Sequence, residues 1–158
     1  MGTGRIFALL IVAATMGCAS EKSATASAKT LSVPLTPGVE TPVCPLAGAG
    51  ASGTATILIA SDNSSITATV TYAGLSGDAT AAHIHFGKAA TAGPVVLPFS
   101  GSLASPFSKT FTAADYVAAA GAPPDFRSFV IALNAGGAAY LNVHTAACKP
   151  GEIRGDIP

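Results

Sequence analysis

From residue 52 onward the chain is a succession of short β-branched segments separated by turn-forming residues, which restricts it to folds built from many short strands. Thr54-Ala55-Thr56-Ile57-Leu58-Ile59 ends at the turn signal Ser61-Asp62-Asn63-Ser64. Ile66-Thr67-Ala68-Thr69-Val70-Thr71-Tyr72 alternates apolar and polar residues, the pattern of a half-buried antiparallel strand. Further extended runs cover residues 81–86, Gly93-Pro94-Val95-Val96-Leu97-Pro98-Phe99, Lys109-Thr110-Phe111, residues 139–145 and residues 153–157. Phe129-Val130-Ile131-Ala132-Leu133 reads as a buried strand. One short helix is expected after Thr112, a candidate N-cap with Asp115 in the first turn, running to Ala120 before Gly121 and Pro123 stop it. Asp115 and Asp125 flank it as capping or loop residues. The expected class is therefore all-β, an antiparallel Greek-key sandwich or barrel with one helix.

The N-terminal residues read as an export signal. Arg5 supplies a thin positive region, and residues 6–16 are apolar but too few to span a bilayer. Met16-Gly17-Cys18-Ala19-Ser20 has the form of a bacterial lipobox, in which Cys18 becomes the lipidated first residue; Thr15 departs from the usual Leu. Ordinary cleavage within Gly17-Cys18-Ala19 is the alternative. Ser, Ala, Thr, Lys and Pro without periodicity then suggest a flexible tether. The expected organisation is a leader over residues 1–18, a tether over 19–43 and one domain over 44–158.

Only 10% of the 158 residues are charged, and removing Arg5 with the leader takes the net charge from zero to near −1. There is no basic stripe, so nucleic acid is not an expected partner. With Cys18 assigned to lipid, Cys44 and Cys148 remain as an even pair in an oxidising compartment. A bridge between them would be worth about 4–5 kcal/mol by loop entropy, as an upper figure. The alternative is Cys148 as a metal ligand four residues after His144.

All three histidines lie in two strand-like segments. In His83-Ile84-His85 the two imidazoles must share a face, because successive side chains of a strand point to opposite sides. In Tyr140-Leu141-Asn142-Val143-His144 the polar residues share a face while Leu141 and Val143 oppose it. Were the two strands neighbours, three neutral imidazoles would converge, a set that suits Zn²⁺ or Cu²⁺. The competing reading is a polar seam in which the histidines bond to backbone and Asn142.

Ala82-His83-Ile84-His85-Phe86-Gly87 followed by Ala92-Gly93-Pro94-Val95-Val96 resembles the first signature of the CHRD domain, the repeated module of chordin. Tyr140-Leu141-Asn142-Val143-His144-Thr145 with Pro150-Gly151-Glu152-Ile153-Arg154-Gly155-Asp156-Ile157 resembles its C-terminal signature, with Asp156 where Gln is commoner. The match runs from about Thr54 to Ile157 and implies an extracytoplasmic β-rich domain; in chordin the module belongs to a protein that binds growth factors. Glu152 and Arg154 share a face of the last strand, so with Asn142 they are candidates for a polar network beside the histidines; the alternative is a solvated i,i+2 pair worth at most about 1 kcal/mol.

His83-Ile84-His85-Phe86-Gly87 is also similar to the copper-binding strand of Cu/Zn superoxide dismutase, but a dismutase site needs more histidines than this chain has. A blue-copper site is unsupported, since Met1 and Met16 both fall in the leader. No Gly-x-Ser-x-Gly elbow marks a hydrolase. The preferred reading is a non-enzymatic binding module of the cell envelope, exported and membrane-attached only through a lipid anchor, with a protein or other envelope ligand as partner. The competing reading is a copper or zinc protein using His83, His85 and His144, with dismutase-like chemistry remoter still.

Overall fold

The structure, a computed structural model, describes residue 1 and residues 27–158 except Gly137. The leader and Cys18 lie outside the described residues. Among the described residues, eight strands form two four-stranded antiparallel sheets. The first contains β1 (Lys29–Leu35), β2 (Ser52–Ile59), β3 (Ile66–Ala73) and β6 (Phe107–Phe111), in that order. The second has the order β5 (Val95–Pro98), β4 (Ala79–Phe86), β7 (Ala139–Thr145), β8 (Ile153–Ile157). The architecture is an all-β sandwich rather than a closed barrel, with one short α-helix, α1 (Phe126–Asn134). Main-chain bonds in both directions between Thr36 and Arg154 join β8 to the end of β1 at one side.

The core follows the period-2 pattern. Val33 and Leu35 on β1, Ala55, Ile57 and Ile59 on β2, and Ile66, Ala68 and Val70 on β3 face Ala82, Ile84, Leu141, Val143 and Ile153 of the other sheet. Gly155 is required where β8 crosses β1, because a Cβ there would overlap Pro34 O and the Val33 side chain.

Three sequence expectations need correction. The strand expected at Phe129-Val130-Ile131-Ala132-Leu133 is helical, part of α1. Asp125 is its N-cap, accepting from Ser128 N at 2.7 Å. Phe126, Phe129, Val130 and Leu133 fall at i, i+3, i+4 and i+7 and are buried, leaving Ile131 half exposed on the outer side. The helix expected after Thr112 shrinks to a single 3-10 turn, Ala113–Asp115, held by the reciprocal Thr112–Asp115 capping box. Finally, Lys29–Leu35, assigned to the tether, is strand β1 in full register with β2. Pro34 is tolerated because β1 is an edge strand, which needs no N–H at that position.

The functional consequence lies in β7. Every residue of this strand is buried. Its apolar face packs in the core, and its polar face, bearing Tyr140, Asn142 and His144, is covered from outside by the loops of residues 36–51, 87–94 and 146–152.

Candidate metal centre

Antiparallel pairing of β4 with β7 sets His83 opposite Asn142 and His85 opposite Tyr140. His144 pairs with Ala81 and so projects beside His83 on the same face. One nitrogen from each of His83, His85 and His144 lies within 4.8 Å of the others. The adjacency that sequence alone left open is thus a direct strand pairing.

The protonation pattern follows from the partners. His85 Nδ1 is 2.8 Å from Gly93 O, and His144 Nδ1 is 2.8 Å from Lys149 O. A carbonyl oxygen only accepts, so both Nδ1 atoms carry the proton and both Nε2 atoms present lone pairs. Both lone pairs meet Asn142 Oδ1, at 3.1 Å from His85 Nε2 and 3.0 Å from His144 Nε2. His83 Nδ1 is 3.1 Å from His144 Nε2 and donates to it when no ion is bound. The backbone carbonyls of two loops thereby select the tautomer a metal needs, the usual task of groups behind a ligand histidine.

Burial lowers the pKa of all three imidazoles. His83 falls to about 4, through burial and then the neighbouring His144 and His85. His85 and His144 shift the same way through burial, although their carbonyl partners pull upward. All three are neutral at pH 7, the form that ligates. His85 and His144 are nearly inaccessible, whereas His83 is partly exposed and marks the open side.

Tyr140 forms one wall. Its ring stacks on His85 at 4.5 Å and 8° between planes, and the Arg154 guanidinium lies 3.4 Å from the ring centroid. Strand order places β4 and β8 on opposite sides of β7, so Tyr140 is held between them. Arg154 is fully buried and donates to Thr91 O, Lys88 O and Asp156 Oδ1, fastening the loop that carries Gly93. Glu152 was expected in the same network as Arg154, but the two do not pair. The buried Glu152 carboxylate accepts from Gly48 N, Ser76 N, Ser76 Oγ and Thr145 Oγ1 instead. The Cys44 and Cys148 sulfurs are at bonding distance, 2.06 Å. That bridge draws the loop of residues 36–51 onto the site.

Sequence reasoning missed Glu40. Its side chain is only 4% exposed, and Oε1 has no hydrogen-bond partner among the described residues. Oε2 accepts from Thr41 N at 3.2 Å. Burial pushes the Glu40 carboxyl up, against the opposing pull of the Asn142 amide, Thr41 N and Arg154. The carboxylate fills the space beside Gly151, where any Cβ would overlap it. The available signal was that Glu40 is the lone charged residue between Lys29 and Asp62.

The model of the CHRD domain matches residues 31–157, most of the chain. The protein belongs to the CHRD family, a family of extracellular domains. No curated protein matches, and no solved structure does. Among the described residues no helix is long and apolar enough to cross a membrane.

Proposed function

We propose that this is an exported CHRD domain that binds one copper or zinc ion through His83, His85 and His144. The observation that carries the reading is the pair of backbone carbonyls, Gly93 O and Lys149 O, which commit the Nδ1 protons of His85 and His144 and turn both Nε2 lone pairs inward. The reading is a binding function without a catalytic step. We further propose that Cys18 is lipidated and holds the domain at the envelope.

Family membership favours a second, compatible role as an interaction module for an envelope protein or other ligand. The deciding experiment is metal analysis of protein purified from its native envelope, with His85→Ala alongside. About one equivalent of copper or zinc is expected in the wild type and none in the variant. Wild-type protein that stays metal-free at micromolar Cu²⁺ and Zn²⁺ overturns the metal reading and leaves the interaction module.

A further inference from the structure

We propose that Asn142 is a fourth metal ligand through its amide oxygen Oδ1, and that the buried Glu40 carboxylate holds the amide in that orientation. The inference rests on the three-histidine reading and goes beyond it in ligand set and metal preference.

The geometry begins with an unmet contact. His85 Nε2 and Asn142 Oδ1 face one another at 3.1 Å, and neither carries a proton, because the His85 proton is on Nδ1. The neighbouring His144 Nε2, 3.0 Å from the same oxygen, also has its proton on Nδ1. His83 can supply one proton, to His144, and none to the His85–Asn142 pair. Converging lone pairs are satisfied by a cation placed among them.

The spacing fits. A tetrahedral ion with bonds of about 2.0–2.1 Å requires ligand atoms about 3.3–3.4 Å apart. Three of the six edges are already present at 3.1, 3.0 and 3.1 Å, for His83–His144, His144–Asn142 and His85–Asn142. The three histidine nitrogens lie within 4.8 Å of one another, so loading lengthens these three short edges by a few tenths of an ångström and draws the wider histidine–histidine edges in. His83, whose partners include no backbone carbonyl, moves its proton to Nε2 on the exposed side.

Glu40 supplies the independent observation. A buried acid with an unpartnered oxygen is costly to retain. With Asn142 as its neighbour, the role of this carboxylate would be to draw the amide Nδ2–H₂ and so direct Oδ1 towards the histidines. Gly151 leaves the room that this carboxylate occupies.

An oxygen donor changes which ion is preferred. Amide oxygen suits divalent Zn²⁺ and Cu²⁺, whereas Cu⁺ favours softer donors and is served by the imidazoles alone. The ligand class is thus a divalent borderline ion in an N3O site.

The test compares Zn²⁺, Cu²⁺ and Cu⁺ affinities, by chelator competition, for the full-length wild type, Asn142→Leu, Asn142→Asp, Glu40→Gln and His85→Ala. Asn142→Leu is expected to weaken Zn²⁺ and Cu²⁺ at least about tenfold and to move Cu⁺ less than about threefold. Glu40→Gln should weaken the divalent ions within the roughly 10–100-fold range of outer-shell changes. Asn142→Asp, which keeps an oxygen, should retain them, and His85→Ala should lose all three ions. If Asn142→Leu lacks a cooperative melt, Glu40→Gln and Asn142→Asp decide. Wild-type divalent affinity in Asn142→Leu, or in Glu40→Gln where the former does not fold, overturns the fourth-ligand assignment while the histidine site stands. Absence of binding by the wild type overturns the histidine reading itself.

Discussion

Replacing Glu152 by Gln should destabilise the domain strongly. The carboxylate is fully buried and is the common acceptor for Gly48 N at 2.8 Å, Ser76 N at 2.6 Å, Ser76 Oγ at 2.6 Å and the Thr145 hydroxyl. It thus pins the β1–β2 loop, the β3–β4 loop and the end of β7 at one point. Glutamine has the same shape, but one carboxylate oxygen becomes an NH₂ that confronts these donors. Bonds to a charged acceptor are worth about 1.5–3 kcal/mol each, so losing the charge and at least one acceptor costs about 3 kcal/mol. For a domain of this size that is about 10 °C in Tm. The assay is a thermal or urea melt followed by circular dichroism at pH 7 and at acid pH. Burial pushes the Glu152 carboxyl up, but the bonds from Gly48, Ser76 and Thr145 outweigh it and hold the group below its ordinary 4.5. A depressed carboxyl contributes stability that is fully present above pH 4.5 and lost as pH falls through the folded-state value. The gap between wild type and Glu152→Gln should therefore close on acidification. A Tm difference under about 3 °C at pH 7, or a gap that widens in acid, would refute this account.

Reduction of the Cys44–Cys148 bridge, or replacement of both residues by Ala, should cost up to about 4–5 kcal/mol, because their separation of 104 residues closes a long loop; denaturant midpoints with and without reductant measure it. Asp125→Ala removes the acceptor of Ser128 N and should cost about 0.5–2 kcal/mol in the same melt, the ordinary value of a helix N-cap. Lipidation at Cys18 predicts that native protein partitions into detergent and that Cys18→Ser releases it or stalls processing; a mature N-terminus beyond Cys18 would exclude the anchor.

The elements legible in the sequence were those whose local pattern has one solution. Alternation in β3 and the paired histidines of β4 admit only a two-sided strand, so both strands and their shared faces could be read directly. Phe129-Val130-Ile131-Ala132-Leu133 was ambiguous, because a β-branched apolar run suits a buried strand as well as a helix. The Asp125 cap and the i, i+3, i+4, i+7 stripe decide for α1, and Phe126 extends that stripe beyond the run itself. β1 was hidden by Pro34, which lowers strand signals although an edge strand accepts it. At the candidate site, shared-face geometry grouped His83 with His85 and Asn142 with His144, and strand pairing brings the two groups together. Glu40 has no periodic neighbours and reaches the site only through tertiary folding of a loop, so no local rule could place it there. The expectation that Glu152 and Arg154 share one polar network beside the histidines failed for a related reason. Both residues are fully buried, and each finds its partners in loops distant in sequence.

Those loop partners explain why the polar face of β7 can exist at all. An outer sheet face bearing Tyr140, Asn142 and His144 would ordinarily be left to water, yet here it is buried as deeply as the core. Burial of so many polar groups is tolerated only when each finds a partner. The partners come from three loops, each fixed by a different device. Arg154 fastens residues 87–94 through Thr91 O and Lys88 O, and that loop presents Gly93 O to His85. The Cys44–Cys148 bridge joins the loop carrying Glu40 to the one presenting Lys149 O to His144. Glu152 ties Gly48 of the first of these loops to Ser76 and Thr145. Residues of the C-terminal signature therefore act mainly as loop anchors, and the histidines receive their tautomers from the loops so anchored. Changes at Arg154, Glu152 or the cysteines should accordingly shift stability and site geometry together. Changes at His83, on the open side and bonded to no loop carbonyl, should alter ligand binding with little effect on the fold.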